Sequence, residues 1–169
     1  MENPDSKKSI LFVCLGNICR SPAAEGVMQS LIDQRQLSTV VRVDSAGTAG
    51  YHIGKLADSR MRSAAAKRGL DLTSRSRLVV PADLRLFDLV VAMDRSNYRD
   101  LMGLAPGLKN SNVKLLSDFL DEPWPREVPD PYYGGDEGFE FVLDMLEAAC
   151  PTILLRLLDA NAEDSTGLA

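Results

Sequence analysis

Cys14 and Arg20 stand six positions apart, with Gly16 and Asn17 between them. A thiolate is a nucleophile, and a guanidinium offers a planar fork of donors that matches the oxygens of a phosphate. Gly and Asn accept the turned backbone conformations that an anion cradle requires. Ser21-Pro22 then opens a strongly helical stretch, and proline is favoured in the first turn of a helix. The N–H groups of residues 15–20, covering Leu15, Gly16, Asn17, Ile18 and Cys19, would curl round one oxyanion beside Arg20 and stabilise its transition-state charge. The helix N-terminus and Arg20 would also favour the thiolate of Cys14.

Transfer of a phosphoryl group to Cys14 needs a proton for the leaving oxygen. The chain holds a single histidine, His52, in a Gly-rich loop, so a carboxyl group is the better acid. Asp130 is the candidate, because Pro129 and Pro131 on either side restrict where it can point. Ser21 can donate to the Cys14 sulfur or cap the first helix. Cys19 can pack, or form a reversible disulfide with Cys14. Cys150 falls on the apolar face of the last helix and reads as core. No second His or Cys gives His52 a metal-ligand spacing, so no metal is expected, and neither Gly-x-x-x-x-Gly-Lys-Ser/Thr nor Gly-x-Gly-x-x-Gly follows the first strand, so no nucleotide cofactor is expected. Tyr132 and Tyr133, with Leu15, Tyr51 and Trp124 as lesser candidates, could wall a slot for an aryl phosphate.

These residues need a frame. Ile10 to Val13 read as a first strand, and Ala23, Ala24, Val27, Met28, Leu31 and Ile32 form the apolar stripe of a helix over about 21–35, with Glu25, Gln29 and Asp33 facing away. Val40 to Val43 lead into Asp44-Ser45-Ala46-Gly47 as strand two. A second helix runs from an Asp58 or Ser59 cap to Arg68, with Gly69 placed to end it. Residues 78–86 hold a short helix, 87–93 a third strand, Asp94 caps a helix to about Leu104, and 113–116 form a fourth strand. Four prolines leave 118–138 irregular, and the terminal helix carries Pro151, where it should kink or restart. Alternating strands and helices predict an α/β fold, a four-stranded parallel sheet ordered 2-1-3-4 with helices on both faces. Ligands of such sheets sit beyond the carboxyl ends of the strands where the order reverses, which is where the 14–20 loop falls.

The 169 residues suit one domain, from about residue 9 to 158, between a polar tail of residues 1–8 and a fraying tail of 159–169. No apolar run is long enough to span a membrane and no secretory leader is evident, which leaves a cytoplasmic address as the expectation. Three cysteines are too few for a disulfide framework. With a formal charge of −5, the chain lacks the overall basic character of a nucleic-acid binder.

Val-Cys-Leu-Gly-Asn-Ile-Cys-Arg-Ser-Pro from Val13, followed by Ala-Ala-Glu, resembles the signature of low-molecular-weight protein tyrosine phosphatases. Asp44-Ser45-Ala46-Gly47-Thr48, Tyr51-His52-Ile53-Gly54, Met93-Asp94 and Asp130-Pro131-Tyr132-Tyr133-Gly134-Gly135 resemble further blocks of that family in the same order. The resemblance implies a cofactor-independent phosphomonoesterase acting on phosphotyrosine proteins or small aryl phosphates. Cys14 would attack, Arg20 bind phosphate, and Asp130 serve as acid and then base. Asn17, Ser21 and Ser45 would hold the loop in shape, while Leu15, Tyr51, Tyr132 and Tyr133 would shape the cleft. Ile18 stands where relatives acting on phosphoarginine tend to carry threonine, which leans toward phosphotyrosine. Many members carry a histidine where this chain reads Thr73-Ser74-Arg75-Ser76-Arg77, so its network around Asn17 must be replaced or weakened. Two other classes are a non-catalytic phosphopeptide-binding module, which needs neither Cys14 nor Asp130, and an arsenate reductase, whose thiol relay needs cysteines that residues 20–149 lack.

Overall fold

In the computed structural model, which describes residues 6–107 and 112–166, the strand at the centre is β1 (Lys8–Cys14). Its side chains alternate between two apolar clusters, as the two-residue period of a strand requires. Ile10, Phe12 and Cys14 join one cluster, and Leu11 and Val13 the other. Both faces are buried, so from Ile10 onward the strand is apolar rather than alternating with polar residues.

The first cluster is closed by α1 (Arg20–Gln34), α2 (Ser59–Ala66) and the long α5 (Asp136–Thr166). The second is closed by α3 (Pro81–Leu86) and α4 (Arg95–Leu104). The sheet runs β2-β1-β3-β4 and is parallel throughout, with β2 at Val41–Gly47, β3 at Leu89–Ala92 and β4 at Val113–Leu115. The predicted order 2-1-3-4 is therefore observed. Val13 is in register with Ala46 on one side and Ala92 on the other, so the ends of β2 and β3 flank Cys14.

Local sequence explains the boundaries. Asp58 caps α2 by accepting the Arg60 N–H, and Gly69, at φ +77°, follows its end. Helix α1 begins one residue before the expected Ser21, at Arg20. A 3-10 turn at Leu116–Phe119, held by Asp118 accepting the Leu115 N–H, overlaps the front of the 118–138 stretch. The terminal helix does not restart at Pro151. Ala149, Cys150, Ile153 and Leu154 are fully buried around it, and that packing offsets the missing N–H. Helix α5 passes residue 158, and residues 1–5 and 167–169 of the expected tails lie outside the described residues. Among the described residues no helix is long and apolar enough to cross a membrane.

Helix α5 docks by packing more than by charge. Arg68 bridges Glu140, Asp144 and Glu147, whose side chains remain about half exposed, and exposed pairs stabilise little. Leu143 is fully buried in the main cluster. Leu143→Ala should cost about 2–5 kcal/mol of unfolding free energy in a denaturant titration, whereas Arg68→Ala should cost about 1 kcal/mol or less.

Candidate active site

Strand β1 delivers Cys14 to the end of the sheet beside the point where strand order reverses. The loop that follows turns its carbonyls outward. Those of Cys14 and Leu15 accept the N–H groups of Thr48 and Ala49, that of Gly16 the Ser76 hydroxyl, and that of Ile18 the Asp58 N–H. Between Gly16 and Asn17, it is Asn17 that takes the left-handed conformation, at φ +55°, which Asn tolerates better than most residues. Its amide nitrogen donates to Ser21 Oγ at 2.7 Å and Ser45 Oγ at 2.9 Å, and its oxygen accepts the Arg77 N–H at 3.0 Å. Ser21 Oγ lies 3.0 Å from Cys14 Sγ. Gly47 lies directly beneath this turn, where a Cβ would meet the Leu15 carbonyl oxygen at 2.7 Å.

The guanidinium of Arg20 is 3% exposed and is held by Asp94, whose Oδ2 accepts from Nη1 at 2.6 Å. The other oxygen of Asp94 accepts the Asn97 N–H and caps α4. Nη1 also donates to the Val128 carbonyl at 3.1 Å, while Nη2 stands 3.7 Å from Asp130 Oδ2. Burial disfavours the Arg20 cation, but the charges of Cys14, Asp94 and Asp130 outweigh it, so its pKa moves up and it stays charged. The cap expected at Asp94 is observed, but its grip on Arg20 is visible only once β3 lies against β1. Its place at the end of that neighbouring strand was the signal available in the sequence.

Cys14, Arg20 and Asp130 share one cavity of about 300 Å³, the lower end of the range for small-molecule sites. Leu15, Gly16, Ile18 and Cys19 contribute to its floor and near wall, and Tyr51, Tyr132 and Tyr133 to the rim. His52, read from sequence as an ordinary loop residue, also lines it, with its ring 6.3 Å from that of Tyr132. Asn17 and Ser21 stand behind the lining as supports with Ser45. Ser21 does not cap α1, since Cys19 occupies the cap position and no side chain caps there. Trp124 is not part of the wall. It packs on the main cluster and against Phe141, because the 118–135 stretch folds back over the core before reaching Asp130. Cys19 and Cys14 are free, buried thiols, and burial, then the charges of Asp58, Cys14 and Asp130, push the Cys19 thiol up to about 12. Cys150 is fully buried, as expected of core.

Glu25 departs from expectation. Instead of facing away with Gln29 and Asp33, it is half-buried beneath the loop, where its carboxyl accepts from Ser45 Oγ at 3.2 Å. Burial and the neighbouring Asp44 raise its pKa to about 7, although hydrogen bonds from Ser74 and Ser45 pull it partly back. Ser74 therefore meets Glu25 without bringing a positive charge. A carboxyl whose folded pKa is raised contributes stability that is complete below its ordinary value of 4.5 and is lost as pH rises through about 7. Glu25→Gln, which keeps an acceptor and cannot ionise, should match the parent near pH 5 and exceed its unfolding free energy by roughly 1–3 kcal/mol at pH 8.5. Denaturant titrations at the two pH values check this.

Comparison with known proteins places this geometry. The family model for low molecular weight phosphotyrosine protein phosphatase matches residues 9–163. The chain is 49% identical to the Synechocystis protein slr0328, named for the same class of low molecular weight protein-tyrosine-phosphatase, over 88% of this chain and 95% of that one. It is 40% identical to the human low molecular weight phosphotyrosine protein phosphatase, over 87% of this chain and 94% of that one. Among solved structures, a protein tyrosine phosphatase from Entamoeba histolytica with Hepes in its active site superposes with a TM-score of 0.87 at 45% identity, covering 92% of this chain and 99% of the other. With the family model, the relatives and the solved structure all matched over most of their length, the chain belongs to the low molecular weight phosphotyrosine protein phosphatase family.

Proposed function

We propose that this phosphatase hydrolyses phosphotyrosine and other aryl phosphate monoesters through a phosphocysteine intermediate, with Cys14 as nucleophile, Arg20 as phosphate clamp and Asp130 as the proton carrier. The observation that carries this reading is the convergence of thiol, guanidinium and carboxyl on one cavity. The Cys14 thiolate attacks phosphorus as the P–O bond to the aryl group breaks, and the Asp130 carboxyl gives its proton to the departing oxygen. Asp130, now a carboxylate, takes a proton from water as that water attacks phosphorus. The S–P bond breaks, and inorganic phosphate and the thiolate are released. The Ser21 hydroxyl, 3.0 Å from Sγ, donates to the sulfur as it regains its charge.

Four loop carbonyls tied outward support an inward-facing set of amides, which with Arg20 would hold the equatorial oxygens. Leu15, Tyr51, Tyr132 and Tyr133 give an aryl group apolar walls. Phosphotyrosine proteins are accordingly the proposed partners. A cytoplasmic address fits three buried free thiols, which a reducing compartment preserves. The arsenate-reductase reading would need a relay that the buried Cys150 cannot supply.

Turnover of p-nitrophenyl phosphate in the presence of a chelator tests the reaction. Cys14→Ser should abolish it, and Asp130→Asn should lower kcat/KM for phenyl phosphate by about 10²–10⁴ while inhibition by inorganic phosphate changes little. Full turnover by Cys14→Ser would refute the mechanism, and a wild-type chain that binds phosphotyrosine peptides without releasing phosphate would be a binding module.

Cys19 is proposed to resolve oxidation at Cys14. The Cys14 thiolate attacks one oxygen of hydrogen peroxide, the O–O bond breaks and hydroxide leaves, giving a sulfenic acid, and the Cys19 thiolate then displaces hydroxide from that sulfur to form the disulfide. Because the Cys19 thiol sits near 12, closure should accelerate with each step in pH from 7 to 10 without levelling off. Thiol rescue after a peroxide pulse should fall in Cys19→Ser, and unchanged recovery would remove Cys19 from this role.

A further inference from the structure

We propose that Arg60, which lies outside the catalytic cleft, is a positioning residue that sets where the Asp130 carboxyl stands over Cys14. This rests on the role given to Asp130 above. Flanking prolines restrict the backbone of residues 129–131 but do not place that segment over the cleft. Contacts at its two ends do. Upstream, the Val128 N–H donates to the Met93 carbonyl at 2.9 Å, and its own carbonyl accepts from Arg20. Downstream, the Tyr132 N–H donates to Asp130 Oδ1 at 3.1 Å, so the Tyr132 backbone aims the carboxyl. The carbonyl of the same Tyr132 accepts from Arg60 Nη2 at 3.0 Å.

Arg60 is itself tied to the phosphate cradle. Its Nε and Nη2 grip the two oxygens of Asp58 at 3.1 and 3.0 Å, and the Asp58 N–H donates to the Ile18 carbonyl at 2.8 Å. The guanidinium also lies over two rings, 5.5 Å from the centroid of Tyr132 and 4.7 Å from that of Phe139. An unbroken line thus runs from the loop at Ile18 through Asp58, Arg60 and Tyr132 to Asp130. It links the element that holds the phosphate to the element that protonates the leaving group, and a planar fork is needed to serve Asp58 and Tyr132 together. Since a misplacement of about 1 Å can cost a hundredfold in rate, this line governs the proton transfer and not the grip on phosphate.

Leaving groups separate the two. Nitrophenolate departs well without a proton, whereas phenolate needs one. For the full chain, Arg60→Gln should lower kcat/KM for phenyl phosphate by about tenfold or more and for p-nitrophenyl phosphate by less than about threefold, with inhibition by inorganic phosphate within about twofold of the parent. Arg60→Lys, which keeps the charge but not the fork, should shift the same ratio in the same direction and serves if Arg60→Gln does not fold. In an Asp130→Asn background, Arg60→Gln should remove less than a further factor of about two. Equal losses on both substrates, or losses that multiply with those of Asp130→Asn, would overturn the proposal while leaving Asp130 as the acid. A series for Asp130→Asn alone that is flat across leaving groups would overturn the assignment of Asp130, and this proposal with it.

Discussion

A guanidinium that is 3% exposed is the constraint on which the site depends. Burying a cation costs several kcal/mol unless a counter-charge and hydrogen bonds accompany it. Asp94 supplies both, and does so from the junction of β3 and α4, so the pair also ties the start of α1 to the end of β3. One oxygen takes Arg20 and the other caps α4, which leaves the carboxylate little freedom. Arg20 is thereby held ready, with its second terminal nitrogen turned toward Asp130 and the cleft. Preorganisation of this kind removes most of the reorganisation that charge development would otherwise demand.

The cradle is built on the same logic, one polar partner at a time. Its carbonyls are occupied by donors from the β2 loop, from the cap of α2 and from Ser76, and its one left-handed residue is locked by three hydrogen bonds. The line from Asn17 through Ser45 ends on Glu25, which Ser74 also meets. Burial, with Asp44 beside it, raises the Glu25 pKa to about 7, so the support beneath the loop changes charge near neutral pH. The cleft above it depends on local positive charge at Arg20 and on helix α1, since the chain as a whole is acidic.

Much of this was legible in the sequence because the signals are local. Period-two and period-3.6 patterns, Asp caps at 58 and 94, and Gly69 placed the elements, and the handedness of βαβ crossovers then leaves few sheet orders. Cys14, Arg20 and their spacing on a strand–loop–helix are equally local, and Asp130 was singled out by its two prolines. Trp124 misled because an aromatic in a loop near the acid is indistinguishable, in one dimension, from one that turns back to the core. Pro151 misled because a helix-breaking propensity of one residue yields to packing by buried neighbours on both sides.

The sequence by itself determined the strand order and singled out the proposed nucleophile, the proposed phosphate-binding arginine and the proposed acid, since each rests on residue type and short-range spacing. Only the tertiary structure decided which distant groups meet them: Asp94 on Arg20, Glu25 beneath Asn17 and Ser45, His52 in the wall, and Arg60 between the cradle and the Asp130 loop. Those pairings join residues on different elements whose approach depends on how the helices pack against the sheet, and no periodicity along the chain records which side chains that packing brings within hydrogen-bond distance.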